Sequence, residues 1–206
     1  PNTFNRDVSL LSKNNCEIIF APEITEIYPN GLLTKKIVFK YREILCDIFR
    51  PSHFDGVTTI VKILLDNIRP SNVFFGEKDF QQLKIIEQMI IQNMLKINLV
   101  KCPSVRGSNG MSLSSRYSKF NENDKIKFEL CAKIINENLS DLIKSFDIKI
   151  LDKIKNDLQN IGISKCDYCE VRNENNLNLS NTNKESRLFI AFYLNDIRII
   201  DNFILY

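Results

Sequence analysis

The chain has 206 residues, of which 44% are hydrophobic and 26% charged, a composition typical of a globular protein and not of a low-complexity or collagen-like one. The 28 lysines and arginines are interspersed with 25 aspartates and glutamates, so a net charge of +3 without a polybasic block argues against a dedicated nucleic-acid binder. The six cysteines are scattered, as in a reducing cytoplasm, and no segment reaches the about 20 apolar residues of a membrane span.

The N-terminal part of the chain predicts an αβ half-unit, a turn and a further strand. Residues 2–14 have the spacing of a short amphipathic helix, and residues 17–20 predict a strand. The sequence YPNG at 28–31 is typical of a turn, and alternating apolar residues predict a half-buried strand over 35–41. Because the first residue is Pro1 rather than Met, we expect a processed chain or a fragment.

The central part of the chain predicts a parallel βαβ unit. Apolar residues at helical spacing predict a helix over 57–67, and an apolar run predicts a strand over 73–75. A second amphipathic helix begins after Asp79 and leads to a strand over 96–101. Strands joined by a helix of this length pair in parallel and bind ligands beyond their carboxyl ends, here at residues 76–79.

The last half of the chain predicts an α+β module. The polar segment 103–117 is either a linker or a ligand loop, and Asn121 is a suitable N-cap for a long helix. A second helix and three strands follow, at 149–160, 168–172, 188–194 and 198–200. We therefore predict an incomplete Rossmann-like parallel-sheet α/β domain over 1–104 and a small α+β C-terminal lid domain over 105–206.

Two stretches have the residue types of anion-binding loops. In the first, Gly76 allows close approach of a ligand, the amides of the next helix are unpaired donors, and Lys78 adds a positive charge. In the second, serine hydroxyls lie beside the guanidinium of Arg116. A strand-turn-helix with a solvated lysine and a serine-rich linker with a solvated arginine remain open for these stretches taken alone.

A single CxxC pair, Cys166 and Cys169, falls within a predicted strand. No second pair and no nearby histidine completes the ligand set of a zinc site. We interpret both cysteines as small apolar residues of a strand.

Five segments of the chain carry a family resemblance: FAP with EIYPNG at 20–31, RPSHFDGVTTIV at 50–61, GEKDFQQL at 76–83, LSSR at 113–116 and DIRIIDN at 196–202. In order and spacing they resemble the pantoate:beta-alanine ligase (pantothenate synthetase) family of class I aminoacyl-tRNA-synthetase-like nucleotidyltransferases. The resemblance implies that pantoate attacks ATP to give pantoyl adenylate and pyrophosphate, and that beta-alanine then displaces AMP. It also implies Mg²⁺, a homodimer and a cytoplasmic location.

The resemblance assigns roles to individual residues. Gln82, one helical turn after Lys78, matches a glutamine that binds pantoate. Asp7 aligns with an acidic residue near the metal. The residues that match ATP contacts are Gly76, Glu77, Lys78, Asp79, Val105, Leu113, Ser114, Ser115 and Arg116.

Departures from the family pattern limit these expectations. The family's HxGH segment and a further pantoate-binding glutamine have no counterpart, so no catalytic residue is assigned in this chain and we expect the 206 residues alone not to turn over. The only histidine, His53, is expected to order its loop beside a dimer contact rather than act as a base. Tyr117 replaces the family's usual asparagine. The alternative function is a non-catalytic, nucleotide-binding or dimerising remnant of the fold.

Overall fold

A computed structural model describes residues 3–29, 31 and 40–206 of the chain. The chain divides into two units, Pro1–Lys35 and Lys36–Tyr206. The strand predicted over 35–41 lies almost entirely outside the described residues. The predicted domain boundary near residue 104 falls within the second unit and stays a prediction.

The described residues of the first unit form two helices, α1 (Phe4–Lys13) and α2 (Ile24–Ile27). The predicted N-terminal helix is therefore confirmed, and the predicted turn closes through a hydrogen bond of 3.0 Å from Gly31 N to Tyr28 O. The strand predicted over 17–20 is wrong, because these residues form no ladder with any described strand. An extended segment becomes a strand only when a neighbour pairs with its backbone.

The second unit begins with α3 (Cys46–Phe49) and α4 (His53–Ile68), followed by the predicted parallel βαβ unit. Strand β1 (Asn72–Gly76) pairs in parallel with β2 (Asn98–Cys102), and α5 (Phe80–Gln92) connects them. This confirms the predicted topology. Helix α4 begins earlier than predicted, with an acidic residue in its first turn that suits the positive end of the helix dipole. Leu65, Ile86, Met89 and Ile90 form the buried cluster of this part.

The rest of the second unit confirms the predicted α+β order. Helices α6 (Glu122–Lys144) and α7 (Lys149–Asn160) precede the antiparallel sheet β3 (Cys166–Asn173), β4 (Ser186–Leu194) and β5 (Ile197–Ile204). Helix α6 has the predicted N-cap, completed as a capping box by Asp124. The larger hydrophobic core lies between the two helices and the sheet. None of the described helices is long and apolar enough to cross a membrane.

Strands β3 and β5 each settle a detail of the sequence interpretation. Cys166 and Cys169 lie in β3 as predicted, and burial raises the pKa of the Cys169 thiol to about 12. Strand β5 continues to Ile204, four residues beyond the predicted end, and pairs with β4 along its whole length. The polar pair Asp201–Asn202 resembled a strand end in the sequence, but both residues are buried.

Candidate active site

The first anion-binding stretch is a turn between β1 and α5. Gly76 ends β1, a short 3₁₀ helix spans Glu77–Asp79, and α5 follows directly. The Asn202 side chain donates from Nδ2 to the carbonyl oxygens of Glu77, at 2.8 Å, and Lys78, at 3.1 Å. The Lys78 ammonium group has no hydrogen bond or ion pair with another described residue. The turn is thus held by its backbone, while its cation is available to a ligand.

The second stretch is an ordered loop rather than a linker. Leu113 N donates to Val105 O at 2.8 Å, and Gly107 N donates to Met111 O at 2.9 Å, which closes the loop on itself. The buried carboxylate of Asp201, on β5, accepts from Ser112 Oγ at 2.5 Å and from Ser112 N at 2.8 Å. These bonds fix the loop against the sheet.

The turn and the loop face one cavity of about 560 Å³. Lys78, the predicted residues Leu113–Arg116 and part of β5 all line it. Its apolar wall includes Met111, Phe120, Phe128 and Ile199. A volume of roughly 300–1,000 Å³ with a mostly apolar lining and a few polar groups is typical of sites for cofactor-sized molecules.

Arg116 and its neighbouring serines supply the polar side of this cavity. Arg116 Nη1 donates to the carbonyl oxygen of Arg198, and Arg116 N donates to Ser114 Oγ at 3.2 Å. The Ser115 hydroxyl forms no side-chain hydrogen bond with the part of the chain that the structure describes. A tethered guanidinium beside serine hydroxyls is suited to phosphate oxygens.

A second, small cavity of about 30 Å³ adjoins the turn and contains Gln82. Lys78, Asp79, Arg50 and His53 also line it. No hydrogen bond joins the Gln82 amide to another residue within 40–206. Lys78 therefore lies between a cavity that contains Ser114–Arg116 and one that contains Gln82.

Comparison with known proteins identifies the family to which this chain belongs. A family model described as pantoate-beta-alanine ligase matches residues 1–204. The chain belongs to the pantoate-beta-alanine ligase family. The chain is 35% identical over 213 residues to the pantothenate synthetase of Sulfurihydrogenibium sp. (strain YO3AOP1), an alignment that covers 98% of the chain and 74% of that relative. It is 33% identical over 216 residues to the pantothenate synthetase of Aquifex aeolicus (strain VF5), covering 98% and 73%.

Solved structures of this family have the same fold as this chain. The pantothenate synthetase of Thermus thermophilus has a TM-score of 0.90 and 26% identity, with 100% of this chain and 76% of that chain covered. The pantoate-beta-alanine ligase of Francisella tularensis, complexed with beta-gamma ATP and beta-alanine, has a TM-score of 0.80 and 30% identity, covering 100% and 71%. The resemblance of the five segments, the α/β fold class and the enzyme class, a ligase that forms a C–N bond, are thereby confirmed.

His53 holds an arginine at the small cavity. Arg50 Nη1 lies 2.9 Å from His53 Nε2, and because a guanidinium can only donate, Nε2 accepts and the proton lies on Nδ1. Burial lowers the pKa of His53, and the positive charge of Arg50 lowers it further. A neutral His53 that orients Arg50 agrees with the predicted ordering role; the dimer contact stays a prediction.

Not all predicted ATP residues line the larger cavity. The Glu77 carboxylate lies 3.3 Å from Nη2 of Arg187 and lines a separate cavity of about 360 Å³. The Val105 carbonyl already accepts the Leu113 amide, and its side chain is exposed. At Gly76, an added Cβ would meet nothing within 4 Å, so the described residues leave its position open to a ligand. The roles of these residues in ATP binding stay predictions.

Tyr117, the departure from the family pattern, forms part of the cavity wall. Its ring packs edge-on against Phe120 at 5.4 Å and Phe128 at 5.8 Å between centroids. The tyrosine therefore extends the apolar wall behind Arg116 rather than adding a polar group to the loop.

Sequence reasoning missed Asp201 and Asn202 as site residues. They served only as part of the DIRIIDN resemblance, yet they hold the loop and the turn, respectively. The signal in the sequence was a pair of adjacent polar residues inside the apolar run of β5. Polar residues in such a run are expected to be buried and hydrogen-bonded.

Proposed function

We propose that this chain binds ATP and pantoate and catalyses the ATP-dependent condensation of pantoate with beta-alanine, releasing AMP and pyrophosphate. The observation that carries the proposal is the position of Lys78 between the two cavities, with no partner for its charge among the described residues. Family membership over residues 1–204 supports the same reaction. The Francisella tularensis relative, whose complex contains beta-gamma ATP and beta-alanine, supports these substrates.

In the first step, a carboxylate oxygen of pantoate attacks the α-phosphorus of ATP. A P–O bond forms to the carboxylate, and the bond to pyrophosphate breaks. Lys78 would stabilise the negative charge that gathers on the α-phosphate, while Arg116 and Ser114 would hold the leaving phosphates. Gln82 would orient pantoate by hydrogen bonds, and the small cavity of about 30 Å³ would have to widen to admit it. The protein's contribution is therefore to position two anions that repel each other in solution.

In the second step, the amine of beta-alanine attacks the acyl carbon of pantoyl adenylate. A C–N bond forms, and the C–O bond to AMP breaks. The adenylate would stay bound between the Lys78 turn and the loop until the amine arrives. The apolar wall of the larger cavity, which includes Met111 and Phe128, would shield this reactive anhydride from water.

Mg²⁺ is proposed to bind together with ATP. Across residues 3–29, 31 and 40–206, no group of three or more His, Cys, Asp or Glu side chains is placed to hold a metal ion. Mg²⁺ usually keeps several waters and binds through phosphates and only one or two carboxylates, so this chain fits Mg²⁺ carried by the nucleotide. Asp79, at the small cavity, is proposed to accept from a ribose hydroxyl of ATP rather than to hold the metal. When bound, the ion would neutralise phosphate charge; the metal contact of Asp7, on α1, stays a prediction.

We also propose a cytoplasmic homodimer. The RPSHFDGVTTIV segment at 50–61 is the proposed contact, and the neighbouring side chains of Ile48 and Phe49 are exposed, at 54% and 40%. Adjacent exposed apolar side chains such as these are the kind of patch that a protein contact would cover. Sedimentation of the purified protein should give twice the monomer mass, and a monomer at micromolar concentration would contradict this part of the proposal.

The reaction is tested by incubating the protein with pantoate, beta-alanine and MgATP. If the chain turns over, pantothenate and AMP should form in equal amounts, and pyrophosphate release should require pantoate but not beta-alanine. Such turnover would overturn the expectation, drawn from the missing HxGH segment, that the 206 residues alone are inactive. ATP affinity is measured separately by calorimetry. Nucleotide binding without pantoate-dependent pyrophosphate release would contradict the proposal and favour the non-catalytic alternative.

A further inference from the structure

Strand β5 carries an aspartate that is almost wholly buried beside the larger cavity, its side chain 1% exposed. Both carboxylate oxygens of Asp201 are used: Oδ1 accepts from Ser112 Oγ at 2.5 Å, and Oδ2 accepts from Ser112 N at 2.8 Å and from Arg106 Nη1 at 3.2 Å. An unpaired carboxylate at a phosphate site would repel the ligand. Because the positive charge of Arg106 compensates it and the Ser112 donors hydrogen-bond it, Asp201 can hold the loop without opposing an anion.

The next residue of β5, Asn202, holds the turn that carries Lys78. Asn202 donates from Nδ2 to the carbonyl oxygens of Glu77 and Lys78, at 2.8 and 3.1 Å. Its Oδ1 accepts from Arg187 Nη1 at 3.0 Å. Since a guanidinium can only donate, this bond fixes which end of the amide faces the turn.

Adjacent residues of a strand point to opposite faces, so one dipeptide holds two separate segments. Asp201 and Asn202 are paired with Ile190 and Phe189 of β4, which fixes their backbone within the sheet. The sequence separation is large, 89 residues from Asp201 to Ser112 and 124 from Asn202 to Lys78. The spacing between Lys78 and the Ser114–Arg116 segment therefore depends on this dipeptide.

We propose that Asp201 and Asn202 are positioning residues that set the distance between the Lys78 ammonium group and the phosphate-binding loop. The inference rests on the proposed function, since it assigns the source of that site's geometry. Neither residue contacts the substrate in this scheme. They act through the backbone of residues 77–78 and of Ser112.

The principal variant is Asn202→Asp, which keeps the size of the side chain and its acceptor for Arg187. It replaces the donor that faces two carbonyl oxygens with a third oxygen, so the turn that carries Lys78 must move. A displacement of about 1 Å at a reacting group costs about 10²-fold in rate, and we expect that loss in kcat/KM for ATP. Asn178→Asp, the same change at an exposed asparagine of the second unit, is the matched control and should retain wild-type values.

A merely structural role is distinguished by a double-mutant cycle with Lys78→Ala. If Asn202 acts through Lys78, Asn202→Asp should lower kcat/KM by less than about threefold in the Lys78→Ala background, because the two changes remove the same interaction. A loss of about 10²-fold in both backgrounds, or an Asn202→Asp variant that matches Asn178→Asp, would overturn the inference. Should Asn202→Asp not fold, Asn202→Ala removes the donor without adding a charge and enters the same cycle.

ATP affinity separates failure of this inference from failure of the proposed function. If the wild-type protein releases no pantoate-dependent pyrophosphate, the proposed reaction fails, but titration with ATP still tests the positioning. Asn202→Asp and Asp201→Asn should each weaken ATP binding about tenfold relative to Asn178→Asp. Unchanged ATP affinity in both variants would overturn the inference.

Discussion

The turn at 76–79 and the loop at 103–117 face the same cavity but obtain their shapes differently. The turn is continuous with regular structure, since β1 precedes it and α5 follows it. The loop has no regular element before the 3₁₀ helix Ser115–Lys119 and is held by the distant residue Asp201. Within the described residues, the Lys78 side chain of the turn is consequently left for a ligand, whereas Arg116 and Ser112 of the loop already have protein partners. A site can thus combine a locally determined half with a half that depends on the fold.

The largest effect is expected for Lys78→Ala. Removing a charged group aimed at a developing phosphate charge should lower kcat/KM for ATP by about 10²-fold. The free energy of unfolding should stay within about 0.5 kcal/mol of wild type, because the ammonium group has no partner in the described structure. Lys62→Ala is the control, since Lys62 pairs with Asp66 at 2.6 Å on the surface and should leave activity unchanged. Equal activity losses in both variants would remove Lys78 from the site.

The next largest effects are expected for two adjacent glutamines, one proposed to bind pantoate and the other to stabilise the fold. The Gln81 amide is hydrogen-bonded within the protein: it accepts from Cys46 N at 2.9 Å and donates to Ile44 O at 2.9 Å. The Gln82 amide has no hydrogen-bond partner among the described residues. Gln82→Ala should raise the KM for pantoate about tenfold without loss of stability. Gln81→Ala should lower the free energy of unfolding by about 2 kcal/mol with little change in that KM. The reverse result would exchange their roles.

A smaller effect is expected for Arg116→Lys on the loop side. Lysine keeps the positive charge but cannot bind the Arg198 carbonyl and a phosphate through one planar group. We expect kcat/KM for ATP to fall about fivefold, measured beside Lys119→Arg as a control for basic-residue exchange in the same segment. A wild-type rate for Arg116→Lys would show that charge alone suffices there.

The smallest effects concern two glycines, Gly110 in the loop and Gly76 in the turn. Gly110 has φ +79, and an added Cβ would lie 2.8 Å from Asn136 Oδ1, so Gly110→Ala should cost about 1–2 kcal/mol in urea unfolding. Gly76 has φ −72 and open space, so Gly76→Ala should change stability by less than about 0.5 kcal/mol. It should still weaken ATP binding about threefold by blocking close approach. Similar unfolding costs for both variants would contradict the comparison.

Much of the fold followed from local patterns. Apolar periodicity predicted α1, α4 and the βαβ unit, and the capping residues predicted where α6 begins. The strand predicted over 17–20 failed because a strand is defined by its partner, which a local pattern does not contain. The extent of β5 was missed for a related reason: polar residues favour a strand end unless distant groups satisfy them.

The sequence by itself determined the order of elements, the family segments and the residue types at the site. Lys78, Gln82 and Arg116 could be named because strand, turn and helix signals are short-range, so their neighbours alone place them. Only the tertiary structure decided that Lys78 lies between two cavities and that Asp201 and Asn202 connect the two sides. Hydrogen bonds between residues 89 and 124 positions apart cannot be read from local sequence patterns, because they depend on which distant segments the fold brings together.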